Sequence, residues 1–134
     1  MRITVVGGGY VGLVTGACFA ELGHTVDIVE IDAGKAAAIN AGRAPIHERG
    51  LDALLERHAG KRLRAGTDYD PVAAADLSFI CVGTPPAADG SADLSMVAAA
   101  SRSIGEALRD GNGLHTVVVK STVPPGTTES GASI

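Results

Sequence analysis

The chain has 134 residues, of which 46% are hydrophobic and 3% aromatic, and its formal net charge is −4. This length fits one domain whose core is built from valine, isoleucine, leucine and alanine. The negative charge argues against a nucleic-acid partner. No apolar run approaches the roughly 18 residues of a membrane span, and the first residues do not resemble a signal peptide. We therefore expect a soluble, cytoplasmic protein.

The amino-terminal stretch carries the strongest motif. It places a cluster of glycines between an apolar strand and a helix, and an acid follows the next strand. This order is the G-x-G-x-x-G dinucleotide fingerprint in its full structural context. The pieces are strand Ile3–Val6, turn Gly7–Gly12, helix Leu13–Leu22 ending at Gly23, strand Thr25–Val29 and the acid Glu30.

Each part of the fingerprint has a physical task. Gly7 allows a sharp turn out of the strand, Gly9 allows close approach to a pyrophosphate, and Gly12 allows tight packing of the helix. The helix N-terminus offers free N–H groups to the phosphates. Glu30 is placed to accept hydrogen bonds from the adenosine ribose and to repel a 2′-phosphate. We therefore expect NAD rather than NADP, although Lys35 lies nearby and could soften that preference.

The rest of the chain continues to alternate helices with strands, which requires right-handed crossovers and a parallel sheet. We predict a Rossmann-type, doubly wound α/β fold of about five strands that ends before a sixth. The further predicted elements are helix Ala33–Ala41 capped by Asp32, helix Leu51–His58, strand Lys61–Thr67, a helical turn Asp70–Ala75, strand Leu77–Val82, helix Leu94–Arg109 capped by Asp93, a break at 111–113 and strand His115–Lys120.

Ligands of such sheets bind beyond the carboxyl ends of the strands. The loops Gly7–Gly12, Val82–Pro86 and Ser121–Gly126 should therefore converge on one rim. Their threonine and serine hydroxyls fit ligand binding, and they fit helix caps and turns equally well. Three loops on one rim favour a site.

The cysteines and histidines indicate neither disulfides nor metal. Cys18 and Cys81 are too few for a disulfide framework, and we expect both to be small buried side chains. The four histidines show no ligand spacing, so no metal site is expected.

Four blocks resemble the UDP-glucose/GDP-mannose dehydrogenase family, and they occur in family order. The UDP-glucose 6-dehydrogenase branch is the nearest match, and the GDP-mannose branch stays open. The blocks are Ile3–Leu13, Ala44–Leu51, Val82–Pro85 with Gly90–Ser95, and Lys120–Thr127.

The resemblance implies oxidation of a nucleotide sugar at C6, from alcohol through aldehyde to carboxylate, with two NAD+ reduced. In the family a cysteine traps the aldehyde. The resemblance places Gly7, Gly9, Tyr10, Val11 and Gly12 at the pyrophosphate, Glu30 at the ribose with Lys35 in its vicinity, and Val82, Gly83, Thr84, Pro85, Ser121 and Thr122 beside the nicotinamide. Thr122 is also expected to help place the hydrolytic water.

The family's nucleophilic cysteine lies further downstream, in a sugar-nucleotide domain, and neither Cys18 nor Cys81 sits in a matching motif. We therefore expect residues 1–134 to be the amino-terminal NAD-binding domain of a longer enzyme, without turnover of its own. Family members dimerise through a central helix that is absent here. An exposed sheet edge could instead make this chain a homo-oligomer.

Two other classes open with a similar fingerprint. Regulatory NAD-sensing modules are not expected to carry the blocks Val82–Pro85 and Lys120–Pro124. Dehydrogenases of the 3-hydroxyacid type are disfavoured by the block Pro45–Leu51.

Overall fold

The structure is a computed structural model that describes residues 1–111 and 113–131. It contains a five-stranded parallel sheet with the order β3-β2-β1-β4-β5, which confirms the predicted Rossmann-type α/β fold. Residue 112 of the predicted break lies outside the described part. The elements are β1 Arg2–Val6, α1 Tyr10–Glu21, β2 Thr25–Val29, α2 Ala33–Asn40, α3 Leu51–His58, β3 Leu63–Gly66, a 3-10 turn Asp70–Ala74, β4 Leu77–Ile80, α4 Ser95–Ala107, β5 Thr116–Val119 and α5 Thr127–Gly131.

Helices cover both faces of the sheet. Val5 packs in an apolar cluster with Leu13 of α1 and Leu55 of α3, whereas its neighbour Val6 packs in a second cluster with Val97 of α4. Successive side chains of a strand point to opposite faces, so the two clusters are the two sides of one sheet. This double coverage explains why the central strands are almost continuously apolar.

The strand order reverses at β1. The chain runs outward from β1 to β2 and β3 on one side, then crosses back to β4 and β5 on the other. Both β2 and β4 pair directly with β1. Such a reversal leaves a crevice at the carboxyl ends of the strands, where open α/β sheets bind their ligands.

The first helix begins earlier than predicted. Whereas β2 and α3 have the predicted bounds, α1 begins at Tyr10 rather than Leu13. Gly9 is its N-cap residue, with extended backbone at φ −77° and ψ −167°, and its carbonyl accepts the N–H of Leu13 at 2.9 Å. The glycine motif therefore continues directly into the helix.

Two other predicted details are wrong. The N-cap of α4 is Leu94, while Asp93 lies one position earlier and accepts the N–H of Ser95 at 2.9 Å. Hydrogen bonds from Ser95 lower the pKa of the Asp93 carboxyl. Strand β4 ends at Ile80, so Cys81 lies just beyond the strand rather than within it.

The two cysteines differ in exposure. Cys81 is buried, as predicted, whereas Cys18 is exposed, so the prediction for Cys18 is wrong. Helical periodicity shows that Cys18 shares a stripe with apolar residues of α1, but it does not show whether another element covers that stripe. Burial raises the pKa of the Cys81 thiol to about 11, although the Lys120 ammonium opposes the shift.

Within the described residues, none of the helices is both long and apolar enough to cross a bilayer. The same part of the chain contains no group of three or more side chains suited to hold a metal ion.

Replacing Leu13 by alanine should destabilise the fold strongly. Leu13 is 0% exposed, and its loss should lower the free energy of unfolding by about 2–5 kcal/mol because a cavity remains. Leu22→Ala is the matched control, since Leu22 is 73% exposed and the same truncation there should cost less than about 0.5 kcal/mol. Urea unfolding measures both, and equal losses would contradict the packing described.

The two thiols should react at different rates. Alkylation near pH 8 should modify Cys18 in the folded chain, because it is exposed, and should spare Cys81 until denaturant is added. Mass spectrometry of the alkylated peptides measures the two sites separately. Fast labelling of Cys81 without denaturant would show that the rim at the end of β4 opens readily.

Candidate functional site

The glycine turn after β1 is closely packed on one side and open on the other. Gly7 has φ +106°, and a Cβ there would lie 2.7 Å from the carbonyl oxygen of Cys81. A Cβ on Gly12 would lie 1.8 Å from the carbonyl oxygen of Gly7. By contrast, a Cβ on Gly9 would meet nothing within 4 Å. The turn therefore has no room for side chains at its inner glycines, and it leaves free space in front of Gly9.

The N-terminus of α1 opens toward this space. The amides of Tyr10, Val11 and Gly12 precede the first intrahelical bond, which Leu13 makes to Gly9, so helix geometry leaves them without a carbonyl partner. No side chain in the described part of the chain caps this end. Free amides and the positive end of a 12-residue helix dipole form a place for an anion.

Glu30 lies at the carboxyl end of β2, beside the glycine turn. Its side chain is held at two points: Oε2 accepts the N–H of Gly8 at 3.1 Å, and Oε1 accepts the N–H of Asp32 at 2.9 Å. The residue is only 7% exposed. Each carboxylate oxygen has a further lone pair, so the fixed carboxylate can still accept hydrogen bonds from a ligand hydroxyl.

Lys35 lies in the first turn of α2, close to Glu30 in sequence. Its backbone N–H donates to Asp32 Oδ1 at 3.1 Å, and its side chain is exposed. Asp32 also accepts the N–H of Gly34 at 2.8 Å and is the N-cap residue of α2, as predicted.

The loops after β4 and β5 are joined to each other. The Thr84 hydroxyl donates to the carbonyl of Thr122 at 2.9 Å, and the Ser121 hydroxyl donates to the carbonyl of Val82 at 2.7 Å. The backbone N–H of Cys81 donates to the carbonyl of Val6 at 2.8 Å, immediately before the glycine turn, so the three predicted loops do meet on one rim. Of the remaining predicted residues there, Gly83 and Pro85 lie on the same loop as Thr84.

Two features of the site escaped sequence analysis. Gly8 occupies the variable position of the fingerprint, yet its amide holds Glu30. The Tyr10 hydroxyl donates to the carbonyl of His47 at 3.0 Å and so joins the glycine turn to the loop before α3. Both contacts join residues distant in sequence, so no local pattern could have shown them.

A cavity of about 550 Å³ lies beside this contact. Tyr10, Val14 and Cys18 of α1 line one side, Leu51 of α3 lines another, and Lys120 at the end of β5 completes the wall. It adjoins the rim without including Glu30.

The whole chain, residues 1–134, matches the UDP-glucose/GDP-mannose dehydrogenase family, NAD binding domain. It is 51% identical over 128 residues to the UDP-glucose 6-dehydrogenase AglM of Haloferax volcanii, covering 96% of this chain and 30% of that protein.

Solved structures give the same result. A ternary complex of GDP-mannose dehydrogenase from Pseudomonas aeruginosa superposes with a TM-score of 0.92 at 45% identity, over 96% of this chain and 30% of the other. A UDP-glucose dehydrogenase from Pyrobaculum islandicum gives 0.91 at 44% identity, over 98% and 32%. The chain therefore spans about a third or less of the length of these relatives. It belongs to the UDP-glucose/GDP-mannose dehydrogenase family and matches that family's NAD-binding domain.

Proposed function

We propose that residues 1–134 are the NAD+-binding domain of a UDP-glucose 6-dehydrogenase, a longer enzyme that oxidises the sugar to a glucuronate. The observation that carries the proposal is the pairing of an open glycine turn at Gly9 with a fixed, buried carboxylate at Glu30. The turn fits a pyrophosphate, and the carboxylate fits a ribose with free hydroxyls. One dinucleotide satisfies both.

The chain's own residues then bind and orient the cofactor. The amides of Tyr10, Val11 and Gly12 hold the pyrophosphate, Glu30 accepts from the adenosine ribose, and Lys35 lies in its vicinity. When bound, NAD+ supplies the hydride acceptor. The remaining proposed contacts, on the loops that flank the nicotinamide, are Val82, Gly83, Thr84, Pro85, Ser121 and Thr122.

Thr122 is also proposed to help position the water that releases the product. The Thr84 hydroxyl donates to the carbonyl of Thr122 and so holds the backbone there, and the Thr122 side chain is exposed on the rim. We assign the role of nucleophile neither to Cys81, since it is buried with a raised pKa, nor to Cys18, which lies in no motif that matches the family's cysteine motif. The isolated chain should therefore bind NAD+ without carrying UDP-glucose through to the glucuronate.

UDP-glucose is preferred as the substrate of the whole enzyme because of the 51% identity to the Haloferax volcanii relative. GDP-mannose is the alternative, supported by 47% identity over 130 residues to the GDP-mannose 6-dehydrogenase of Pseudomonas aeruginosa. A purely NAD-sensing function gains no support from these matches.

Calorimetric titration should show that the chain binds NAD+ at least about tenfold more tightly than NADP+, a difference of about 1.4 kcal/mol. The Glu30 carboxylate repels a 2′-phosphate, so Glu30→Gln, which removes the charge, should reduce the preference for NAD+ over NADP+. Gly9→Val should abolish binding of both while preserving the fold, since its side chain fills open space. Gly105→Ala, in α4, is the control. A folded chain that binds neither dinucleotide would refute the proposal.

The open edge of the sheet leads to a proposal about assembly. At the β3 edge, the Asn40 side chain donates to the carbonyl of Ala65 and accepts its N–H, each at 2.8 Å. These two backbone groups are therefore not available to another strand. At the β5 edge, the backbone N–H of Lys120 donates to the carbonyl of Ile80 in β4. Because backbone groups alternate in direction along a strand, those of Val117 and Val119 point away from β4, toward the open edge. Four uncharged β-branched residues, 116–119, make up this edge.

We propose that two copies pair through β5 at high concentration, because an uncharged strand edge is a template for another strand. Light scattering should show a dimer fraction that rises with concentration. Val117→Lys, at a residue that is 39% exposed, should remove it. Leu22→Lys makes the same change away from the edge and should leave it intact. A clean monomer at every concentration would exclude this association.

A further inference from the structure

Gly8 faces the carboxylate of Glu30 directly. A Cβ on Gly8 would lie 2.7 Å from Glu30 Oε2 and 3.2 Å from Glu30 Cβ. The Gly8 amide donates to the same Oε2 at 3.1 Å. Gly8 therefore contacts Glu30 in two ways: its amide fixes the carboxylate, and its missing side chain leaves room for it.

The backbone itself does not require glycine at this position. Gly8 is not among the residues with positive φ, which include Gly7. The three atoms that a Cβ on Gly8 would approach most closely all belong to the Glu30 side chain: the carboxylate Oε2 at 2.7 Å, and Cβ and Cγ at 3.2 and 3.3 Å. The closest contact is with the carboxylate, so alanine would displace the carboxylate first. Displacing the carboxylate would cost free energy, because Glu30 is buried and its Oε1 accepts the N–H of Asp32.

We infer that Gly8 is a positioning residue that sets where the Glu30 carboxylate stands, and thereby sets the affinity for a dinucleotide with an unsubstituted ribose. The inference rests on the proposed function of Glu30. It adds a size rule: an aspartate at position 30, one methylene shorter, would withdraw the carboxylate oxygen that stands 2.7 Å from the Cβ position of Gly8 and would leave the approaches of Cβ and Cγ at 3.2 and 3.3 Å. Alanine at position 8 should therefore cost less beside an aspartate than beside a glutamate. Residue size at position 8 and acid length at position 30 are thus complementary.

The test is a double-mutant cycle of Gly8→Ala and Glu30→Asp on the full chain, with two readouts. The first is urea unfolding without ligand. The second is calorimetric titration with NAD+ and with NADP+. Gly105→Ala is the control, because its Cβ meets nothing within 4 Å and it lies in α4.

In the chain with Glu30, Gly8→Ala should weaken NAD+ binding about tenfold, since a charged hydrogen bond and the position of the acceptor are lost together. It should also reduce the preference for NAD+ over NADP+. With Glu30→Asp already present, the same Gly8→Ala change should alter the NAD+ dissociation constant less than about twofold. The urea midpoint should likewise fall for Gly8→Ala in the chain with Glu30 and change little for Gly8→Ala in the Glu30→Asp chain.

Equal effects of Gly8→Ala in both backgrounds, on binding and on unfolding, would overturn the inference. If the unaltered chain binds no NAD+, the proposed function fails, and the unfolding cycle alone still decides whether Gly8 and Glu30 are coupled. If the chain binds NAD+ and Gly8→Ala binds as tightly, the inference fails while the proposed function stands.

Discussion

The close contact between the start of α1 and the turn after β1 governs the rest of the rim. At 1.8 Å from the Gly7 oxygen, a Cβ on Gly12 would collide with backbone, so the helix can approach the turn only because position 12 lacks one. This approach aims the free amides of Tyr10 and Val11 into the open space before Gly9. A larger residue at position 12 would move the whole helix end, and the anion site with it.

The parallel sheet brings the remaining parts to the same place. Carboxyl ends of parallel strands share one edge, so Glu30 after β2 and Cys81 after β4 both flank the turn after β1. Each borders a different part of it: Glu30 accepts the Gly8 amide, and the Cys81 carbonyl oxygen stands where it leaves no room for a Cβ on Gly7. The reversal of strand order at β1 is thus what places a carboxylate and a second loop on either side of one glycine turn.

Sequence patterns predicted what depends on neighbours along the chain and missed what depends on neighbours in space. Apolar runs and glycine stops predicted the bounds of β2 and α3 correctly. Asp32 was predicted as the N-cap residue of α2 because capping depends on residues close together in the sequence. The exposure of Cys18 depends on what covers α1, and the tie between Gly8 and Glu30 crosses from one strand end to another. Neither has a local pattern.

The hydroxyls of Thr84 and Ser121 on the rim are already used in hydrogen bonds within the protein. Thr84 and Ser121 both donate to backbone carbonyls of the opposite loop, so they fix the loops to each other and keep no proton for a ligand in this arrangement. The donors left for a dinucleotide are therefore mostly main-chain amides, which depend on fold rather than on side-chain identity. Main-chain contacts of this kind would not depend on which sugar nucleotide an enzyme takes, and this chain is similar to relatives named for UDP-glucose and for GDP-mannose alike.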